Sequence, residues 1–496
     1  MQRFLLFWLF WGGVAGLPGV AQPSAPPKGS YRPYYGPDTS QVYALAVAER
    51  AAVQATFGAQ APAGSAALRA HYQRVVKDAA DDVFATVRTS ALPDALLQPA
   101  AQQVLARIRQ ANPQLGPVRV VLTRDPSANA STTGSGLLLL HVGLLAHLEN
   151  ESQLAFVLCH ELAHQELRHS ANGLRDNLNQ LYSKEMKRAM RRIAHSDYNR
   201  SSKYKALEMS FSLSHSYYSR QHERQADSLG YRLLSRTPYA APQAHRALQL
   251  LDRLDDPDAG ATLPLDRFFG CPQFVRSLNQ TAPAAAVSIF AAPVKTAFEL
   301  SDTLKTHPDC GKRMRYLRTL APDTLAASPA PAPVPAFEWL RAASRAEVVQ
   351  SWFDAARYDH ALYEALRLLR DDPRQPYLQA VVQLCLLQLR QRLAAHTFTE
   401  AVALPAAHHA PGFAHLLRTL HQLSAADYAA LSACFAQNLP LPAAATDEYA
   451  LAGRYAAAQL AADNSTAATL RQQLGSAFPK GHLTGFLFPR LPSKTP

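Results

Sequence analysis

A glutamate and two histidines interrupt an apolar segment, and they constrain the fold more than any other feature of the chain. His160, Glu161 and His164 come shortly after the apolar run Leu154–Leu158. Polar groups of this kind are costly to bury unless they are paired or bind a metal. Residues four positions apart lie on one face of a helix, so both imidazoles can reach one ion. The segment therefore predicts a buried helix, beginning near Asn150–Ser152, with a metal-binding face.

The spacing of these residues is the H-E-x-x-H pattern of zinc peptidases. Glu161 stands one step round the helix from His160, so its carboxylate can reach a water on the metal without binding the metal itself. Zinc lowers the pKa of a bound water from about 16 towards about 7, and a glutamate can take the proton as the water attacks a carbonyl. The sequence thus predicts one zinc per chain, bound in part by His160 and His164, with Glu161 as the catalytic base.

A catalytic zinc takes a third protein ligand and keeps one position open. Spacing favours Glu223, which shares a helix face with Asp227, a residue that could accept a hydrogen bond from a ligating histidine. An ordinary charged helix over 219–234 explains the same spacing equally well. Three histidines are weaker candidates for the third ligand: His169, His215 and His222.

The N-terminus predicts export. Arg3 precedes the apolar run Phe4–Val20, which ends with small residues around Ala21. This is the order of a cleaved secretory signal peptide, so we expect a periplasmic or secreted protein. No later run is long and apolar enough to span a bilayer, so we expect no transmembrane segment in the mature chain. The net charge is +12, from 50 Lys+Arg and 38 Asp+Glu. In an exported protein this favours solvated arginines over a nucleic-acid partner.

A chain of 496 residues is too long for one ordinary core, so we expect several domains. The predicted divisions are a signal peptide (1–21), a leader with a short helix (22–66), a zinc metalloprotease domain (67–320), a Pro/Ala-rich linker (321–336) and a helical domain (337–496). Periodicity predicts helices over 42–57, 68–88 and 96–111, and strands over 118–122 and 137–142. The segment 353–373 resembles a degenerate tetratricopeptide hairpin, so the last domain is expected to be all-helical and repeat-type.

The five cysteines are an odd number, and an oxidising compartment permits disulfides. Sequence does not fix their pairing. Pairing within the predicted domains would join Cys271 with Cys310 and Cys385 with Cys434, and it would leave Cys159 as a free thiol.

Four elements occur in order between residues 129 and 313. They are Asn129-Ala130 with Gly134, Gly143 and Asn150-Glu151; the His160–His164 motif; Ser219-Arg220 with Glu223 and Ala226-Asp227; and Thr306-His307-Pro308 with Arg313. Together they resemble the zinc endopeptidases grouped with the CAAX prenyl proteases, HtpX and the Oma-type mitochondrial proteases. The chain is most similar to soluble exported members that carry helical repeats.

The resemblance implies a mainly helical fold, with a gluzincin-like α+β metalloprotease domain and a small sheet before the all-helical domain. It implies Glu223 as the third zinc ligand and a role for His307 or Arg313 in stabilising the oxyanion or bracing the following helix. It also implies that the strand before the zinc helix binds an extended substrate by strand addition, through Gly136, Leu138, Leu140 and Val142.

These features predict an exported endopeptidase that cleaves unfolded or misassembled envelope proteins, while its helical domain recruits substrate or an envelope partner. The alternative is a latent or non-catalytic, chaperone-like envelope protein. An aminopeptidase is less favoured, because no anchor for a substrate amino terminus is recognisable. The basic stretch 171–215 is interpreted as a solvated helix face, with a lid over the cleft or a contact with an anionic membrane left as alternatives.

Overall fold

The computed structural model describes residues 32–33, 35, 39–93, 97–195, 203, 220–254, 262–272, 310–320, 334–406, 409–441 and 447–489. These residues form helices around one small sheet, which confirms the predicted mainly helical fold. The predicted signal peptide, His215 and the Thr306-His307-Pro308 motif lie outside the described residues, as does most of the predicted linker.

Up to residue 320, the described elements are α1 (Ser40–Gly58), α2 (Ala66–Ser90), α3 (Gln98–Ala111), β1 (Arg119–Thr123), β2 (Ala130–Thr132), β3 (Leu137–His141), α4 (Val142–His147), α5 (Glu151–Glu166), α6 (His169–Leu181), α7 (Lys184–Ala194), α8 (220–235), α9 (Gln243–Leu254), α10 (Leu265–Phe269) and α11 (Cys310–Leu320). The predicted helices and the two predicted strands are therefore present, with small differences at their ends.

Helix α1 packs on α2 and on the sheet. Ala46 of α1 shares a core with Leu137 and Leu139 of β3. The buried carboxylate of Glu49 accepts hydrogen bonds from the hydroxyls of Thr133 and Ser135, in the turn before β3. The predicted start of the protease domain at residue 67 thus leaves out α1, although α1 shares a core with the elements of that domain.

The three described strands are arranged in the order β1-β3-β2. β1 runs parallel to β3, with Arg119 opposite Leu137, and β2 runs antiparallel to it, with Ala130 opposite Leu140. β3 is therefore the central strand, and both of its edges are paired. The prediction that this strand binds substrate by strand addition is wrong for this reason, because its backbone groups already bond to β1 and β2.

The outer edge of β1 is capped by a side chain. The amide of Gln98 donates to the carbonyl of Val120 and accepts from the backbone N–H of Leu122, at 2.6 and 3.1 Å. One side chain thus satisfies two backbone groups that an exposed edge strand would offer to another chain. The free edge of the described sheet belongs to β2.

Helix α5 carries the H-E-x-x-H motif through the centre of this domain. Asn150 is its N-cap and accepts from the backbone N–H of Gln153 at 3.1 Å. Every residue from Ser152 to Ala163 is buried, as the apolar run predicts. The helix ends at Glu166, Leu167 is its C-cap, and Arg168, in the left-handed region (φ 53°), turns the chain into α6.

The C-terminal part is helical throughout its described length. Its elements are α12 (Pro335–Asp354), α13 (Tyr358–Asp371), α14 (Pro376–Ala394), α15 (Phe398–Ala401), α16 (Pro411–Gln422), α17 (Ala425–Asn438), α18 (Glu448–Leu460), α19 (Asn464–Ala477) and α20 (His482–Leu487). α12 lies against α4, where Phe337 and Leu340 join the core that contains α5. The helical domain is therefore packed directly on the domain that carries the motif.

Residues 262–272 pack with the helical domain, although they precede the predicted linker. Phe268 and Phe269 of α10 are buried in its core, and a disulfide joins Cys271 to Cys434 of α17. The predicted pairs Cys271–Cys310 and Cys385–Cys434 are therefore wrong. Cys310 and Cys385 are buried in different places and are not joined in disulfides, and Cys159 is likewise outside any disulfide, as predicted.

Part of the predicted flexible leader is docked on the helical domain. Arg32 forms an ion pair with Asp447 at 2.9 Å, and the Tyr35 ring stacks on His482 with 3.5 Å between ring centroids. The Tyr35 hydroxyl donates to Asp354, while the guanidinium of Arg124 lies over its ring. Since Arg124 follows β1, Tyr35 contacts both domains.

The described helices give no membrane-spanning candidate, since none is both long enough and apolar enough to cross a bilayer. Helix α6 lies in the basic stretch for which a lid was an alternative interpretation, and it packs through Ala171 and Leu178 on Tyr72 of α2. Helix α7 has no buried residue, in agreement with a solvated basic helix.

The disulfide leads to the first prediction. Peptide mapping of the non-reduced protein should recover a cross-link between Cys271 and Cys434, which are 163 residues apart. The double variant Cys271→Ser/Cys434→Ser should lose about 2–4 kcal/mol of unfolding free energy, because the bond closes a long loop. Urea denaturation measures this loss. A cross-link between Cys271 and Cys310 would contradict the structure.

A second prediction concerns the contact between the two domains. Burial, together with the charges of Arg367 and Arg345, lowers the pKa of His147 at the end of α4 to about 4. An unfolded histidine takes its proton near pH 6.5, whereas His147 in the folded protein does so only near pH 4, so stability should fall as pH decreases through this window. His147→Gln should flatten this part of the profile of unfolding free energy against pH, by up to about 3 kcal/mol. The exposed His195, changed to Gln, is the control and should leave the profile unchanged.

Candidate active site

The site forms where α8 crosses α5 at very short distance. A Cβ added to Gly230 would lie 3.1 Å from the backbone nitrogen and Cα of His160. Only a glycine therefore allows α8 to approach the motif helix this closely. The close approach places Glu223 and Asp227, both buried on the inner face of α8, next to His160.

Three side chains converge at this crossing. The Nε2 atoms of His160 and His164 are 3.1 Å apart. The Glu223 carboxylate lies against both rings, with one oxygen 3.4 Å from Nε2 of His160 and the other 3.3 Å from Nε2 of His164. Two donors bound tetrahedrally to zinc at about 2.0–2.1 Å are about 3.3 Å apart. The three residues thus fit a zinc ion in donor type and in separation.

A buried ion pair orients the first histidine. Asp227 is fully buried, and one of its oxygens lies 3.1 Å from Nδ1 of His160. Arg313 donates to both Asp227 oxygens, at 2.8 and 2.7 Å, and its Nη1 lies 3.1 Å from the Glu223 carboxylate. A carboxylate on the far nitrogen of a ligating histidine fixes its tautomer and its ring orientation. Asp227 is thus placed to accept a hydrogen bond from Nδ1 of His160.

The charges in this cluster depend strongly on one another. Burial opposes ionisation of Asp227, but the Arg313 charge and hydrogen bonds from Arg313 and His160 hold the pKa of Asp227 at about 2. Burial and Arg313 lower the pKa of His160, yet its bonds to Asp227 and Glu223 outweigh them and raise that pKa to about 9. A cation in place of the His160 proton would meet the same two carboxylates. The cluster is therefore built for a positive charge at this point.

Comparison with known proteins agrees with this geometry. Residues 91–321 match the sequence model of a family described as Peptidase family M48. We call this matched segment the M48 domain. Proteins of this family are zinc metalloproteases, which confirms the resemblance drawn from the four motifs.

The chain is also similar to a Vibrio cholerae (serotype O1) protein that carries the provisional name beta-barrel assembly-enhancing protease. The two are 36% identical over 69 residues. This match spans 14% of this chain and 14% of the relative, so it covers a small part of either protein.

Glu161 is buried in the M48 domain and lies on the side of α5 that faces the end of β3. Its charge acts on His141, although burial is the larger influence and the pKa of His141 is lowered overall. The His141 ring is also held by Ser127, whose hydroxyl oxygen is 2.9 Å from Nδ1. Sequence reasoning missed His141 as a neighbour of the base, although a histidine that ends an apolar strand is a usable signal.

His169, weighed as a third ligand, instead supports the second histidine. Its Nδ1 is 3.0 Å from Nδ1 of His164, and its Nε2 is 3.0 Å from the side-chain oxygen of Gln225. Its ring also stacks on His222, with 4.2 Å between centroids. Burial and the neighbouring histidines lower the pKa of His169 to about 4, so it stays neutral and can exchange a hydrogen bond with His164.

Arg313 contacts one proposed ligand, Glu223, and the carboxylate that orients another, Asp227. It is buried against Asp227 and Glu223, and these two carboxylates raise its pKa. Its guanidinium is therefore engaged with the side chains of the candidate metal site. His307, its predicted alternative for the oxyanion, is outside the described residues.

The residues predicted to bind substrate are not at an edge. Leu138 and Leu140 are buried in the core, and Val142 begins α4. The edge strand is β2, which sequence reasoning missed because it has only three residues. The backbone N–H of Thr133 donates to the carbonyl of Leu137, and the backbone N–H of His141 donates to the carbonyl of Asn129. In this register the backbone groups of Ala130 and Thr132 point away from β3, towards the free edge of the sheet.

The crossing at Gly230 gives a third prediction. Gly230→Ala should push α8 away from α5 by a few tenths of an ångström, because its Cβ would meet the His160 backbone. Zinc affinity should then fall about tenfold, since ligand sets tolerate little displacement. Competition with a zinc indicator measures this.

Gly475→Ala is the matched control, because Gly475 lies within helix α19 with nothing within 4 Å of an added Cβ. It should leave zinc affinity unchanged and raise helix stability by about 0.5–1 kcal/mol. Equal zinc affinity in the two variants would mean that the close approach does not position Glu223.

Proposed function

We propose that this protein is an exported zinc-dependent endopeptidase that hydrolyses peptide bonds of unfolded or misassembled envelope proteins. The observation that carries the proposal is the convergence of His160, His164 and Glu223 in the M48 domain, one residue from Glu161. His160, His164 and Glu223 would hold the zinc, one per chain. The metal, when bound, supplies a Lewis acid that polarises the substrate carbonyl and makes water more acidic.

Glu161 provides the proton transfers. Its carboxylate accepts a proton from the water that attacks the scissile carbonyl carbon, and the carbon–nitrogen bond then breaks as Glu161 gives this proton to the leaving amine. The surrounding polypeptide keeps the histidines in place for this step. Asp227 fixes His160, His169 fixes His164, and Arg313 ties Asp227 to Glu223.

The proposed substrate path follows β2 instead of β3. The backbone N–H of Ala130 donates to the Asn129 side chain, so an extended peptide can pair with the carbonyl of Ala130 and the outward-facing groups of Thr132. Strand pairing of this kind reads main chain rather than sequence. The Thr132 hydroxyl donates to the side-chain oxygen of Gln165, next to His164, so this edge lies beside the ligands. A cleft of about 510 Å³, bordered by His164, Gln165 and the turn at Gly134, continues from it. A folded domain cannot offer such an extended segment, which supports unfolded substrates.

The helical domain is proposed to recruit substrate or an envelope partner, as helical repeats do through extended surfaces. The sequence-predicted signal peptide supports export. The name of the Vibrio cholerae relative, a beta-barrel assembly-enhancing protease, supports an envelope role for this chain by similarity.

Glu161→Gln is the fourth prediction and tests the mechanism. The variant should keep one zinc per chain, because Glu161 is not a ligand, and its hydrolysis of casein should fall at least a hundredfold, at about the lower limit for loss of a general base. Metal analysis and casein hydrolysis are measured on the same preparations. Glu185→Gln, on the exposed face of α7, is the control and should retain both properties.

Each other outcome has a distinct meaning. Zinc in both proteins without hydrolysis by either would favour the non-catalytic, partner-binding alternative. Absence of zinc from both would overturn the proposal. Undiminished hydrolysis by Glu161→Gln would show that another group takes the proton.

A further inference from the structure

A second cavity opens on the other side of the third ligand. Its volume is about 740 Å³, within the range of small-ligand pockets. Helices α8 and α11 form its walls, with Leu167 from the end of α5. Glu223 and Arg313 are part of the lining, so the cavity adjoins the proposed zinc site. We call it the arginine groove.

The charge of the groove is strongly one-sided. Its described lining contains five basic side chains and one acidic side chain, Glu223. The basic residues are Arg220, Arg224, Arg232, Lys312 and Arg313. Like charges gathered on one cavity wall repel each other, and they are stabilised when an anion binds between them.

Within the described part of the chain, some of these cations have no carboxylate partner. Arg313 is committed to Asp227 and Glu223. Arg220 and Arg232 form no ion pair with any described residue. Arg224 lies over the ring of Tyr316, 4.8 Å from its centroid, which orients the guanidinium. The planar guanidinium matches a carboxylate with two parallel hydrogen bonds.

The position of the groove beside the proposed zinc site indicates which kind of anion could bind there. Glu223 would face the zinc with its carboxylate, while the wall beyond it is formed by Arg220 and Arg232 on the same helix. Because Glu223 belongs to both the zinc site and the groove, the residues next to the scissile bond are the part of a peptide closest to this wall. The anion within reach is one that belongs to the peptide itself.

We infer that the arginine groove is a substrate subsite for a carboxylate, supplied by an Asp or Glu side chain near the scissile bond or by the C-terminus of the peptide. This inference rests on the proposed function, because it names a feature of the substrate for the same site. The protein would then prefer cleavage near acidic residues or near chain ends, in addition to the main-chain recognition at β2.

Binding to the Glu161→Gln variant tests the subsite without turnover. The probes are fluorescent ten-residue peptides in which one Glu is moved position by position, each paired with its Gln counterpart, and each made with a free or an amidated C-terminus. At one position, or for the free C-terminus, the acidic peptide should bind about tenfold more tightly than its neutral counterpart. This preference should weaken as ionic strength rises.

The groove is then altered in the same background. Arg220→Gln/Arg232→Gln should reduce the ratio of the two dissociation constants to near one. Arg315→Gln, which removes a charge from an exposed position of α11 outside the groove, should preserve the ratio. A preference at one internal position identifies an acidic side chain as the source, and loss on amidation identifies the C-terminus.

The contrary results are equally distinct. Equal binding of every acidic and neutral pair, or a preference that survives the double substitution, would overturn the subsite. Tighter binding of an oligonucleotide than of any acidic peptide, abolished by the double substitution, would also overturn it in favour of a phosphate site. Selective binding by Glu161→Gln without casein hydrolysis by the unsubstituted protein would overturn the proposed function and leave the carboxylate site standing.

Discussion

The buried pair of Asp227 and Arg313 is the interaction on which the rest of the site depends. Two charges removed from water are costly unless each is matched, and here each meets more than one partner. Asp227 holds His160 as well as Arg313, and Arg313 holds Glu223 as well as Asp227. The pair thus joins α5, α8 and α11 at one point. It holds the proposed ligands 3.1 to 3.4 Å apart, close to the separation of two donors on one zinc ion.

The features that sequence predicts best are local ones. His160, Glu161 and His164 are related by the helical repeat alone, and so are Glu223 and Asp227, so their relative positions follow once a helix is assumed. The two helices can meet because Gly230 has no side chain. The sequence shows this glycine, but it does not show that His160 lies against it. The ordered resemblance to M48 peptidases supplied this relation before the structure did.

The features that sequence predicted wrongly depend on distant pairing. Leu138 and Leu140 form a strand, but whether a strand is central or at an edge depends on Ala130–Thr132, which is too short to show a periodic pattern. The cysteine pairs were chosen to lie within the predicted domains, whereas Cys271 follows α10 into the helical domain. His169 was judged by its spacing from His164 as a ligand, and spacing does not distinguish a ligand from a partner of one.

The path of the chain between the two domains has a consequence for how they can be separated. The chain leaves the M48 domain after α9, contributes α10 to the helical domain, returns with α11 to deliver Arg313, and leaves again through α12. The two domains are thus interlaced rather than joined in series. A single cut near residue 330 would yield two fragments that each lack part of their own interior, and the disulfide at Cys271 would still tether them. The protein is in this sense one folding unit, and its helical domain cannot be removed as a separate module without disturbing the site.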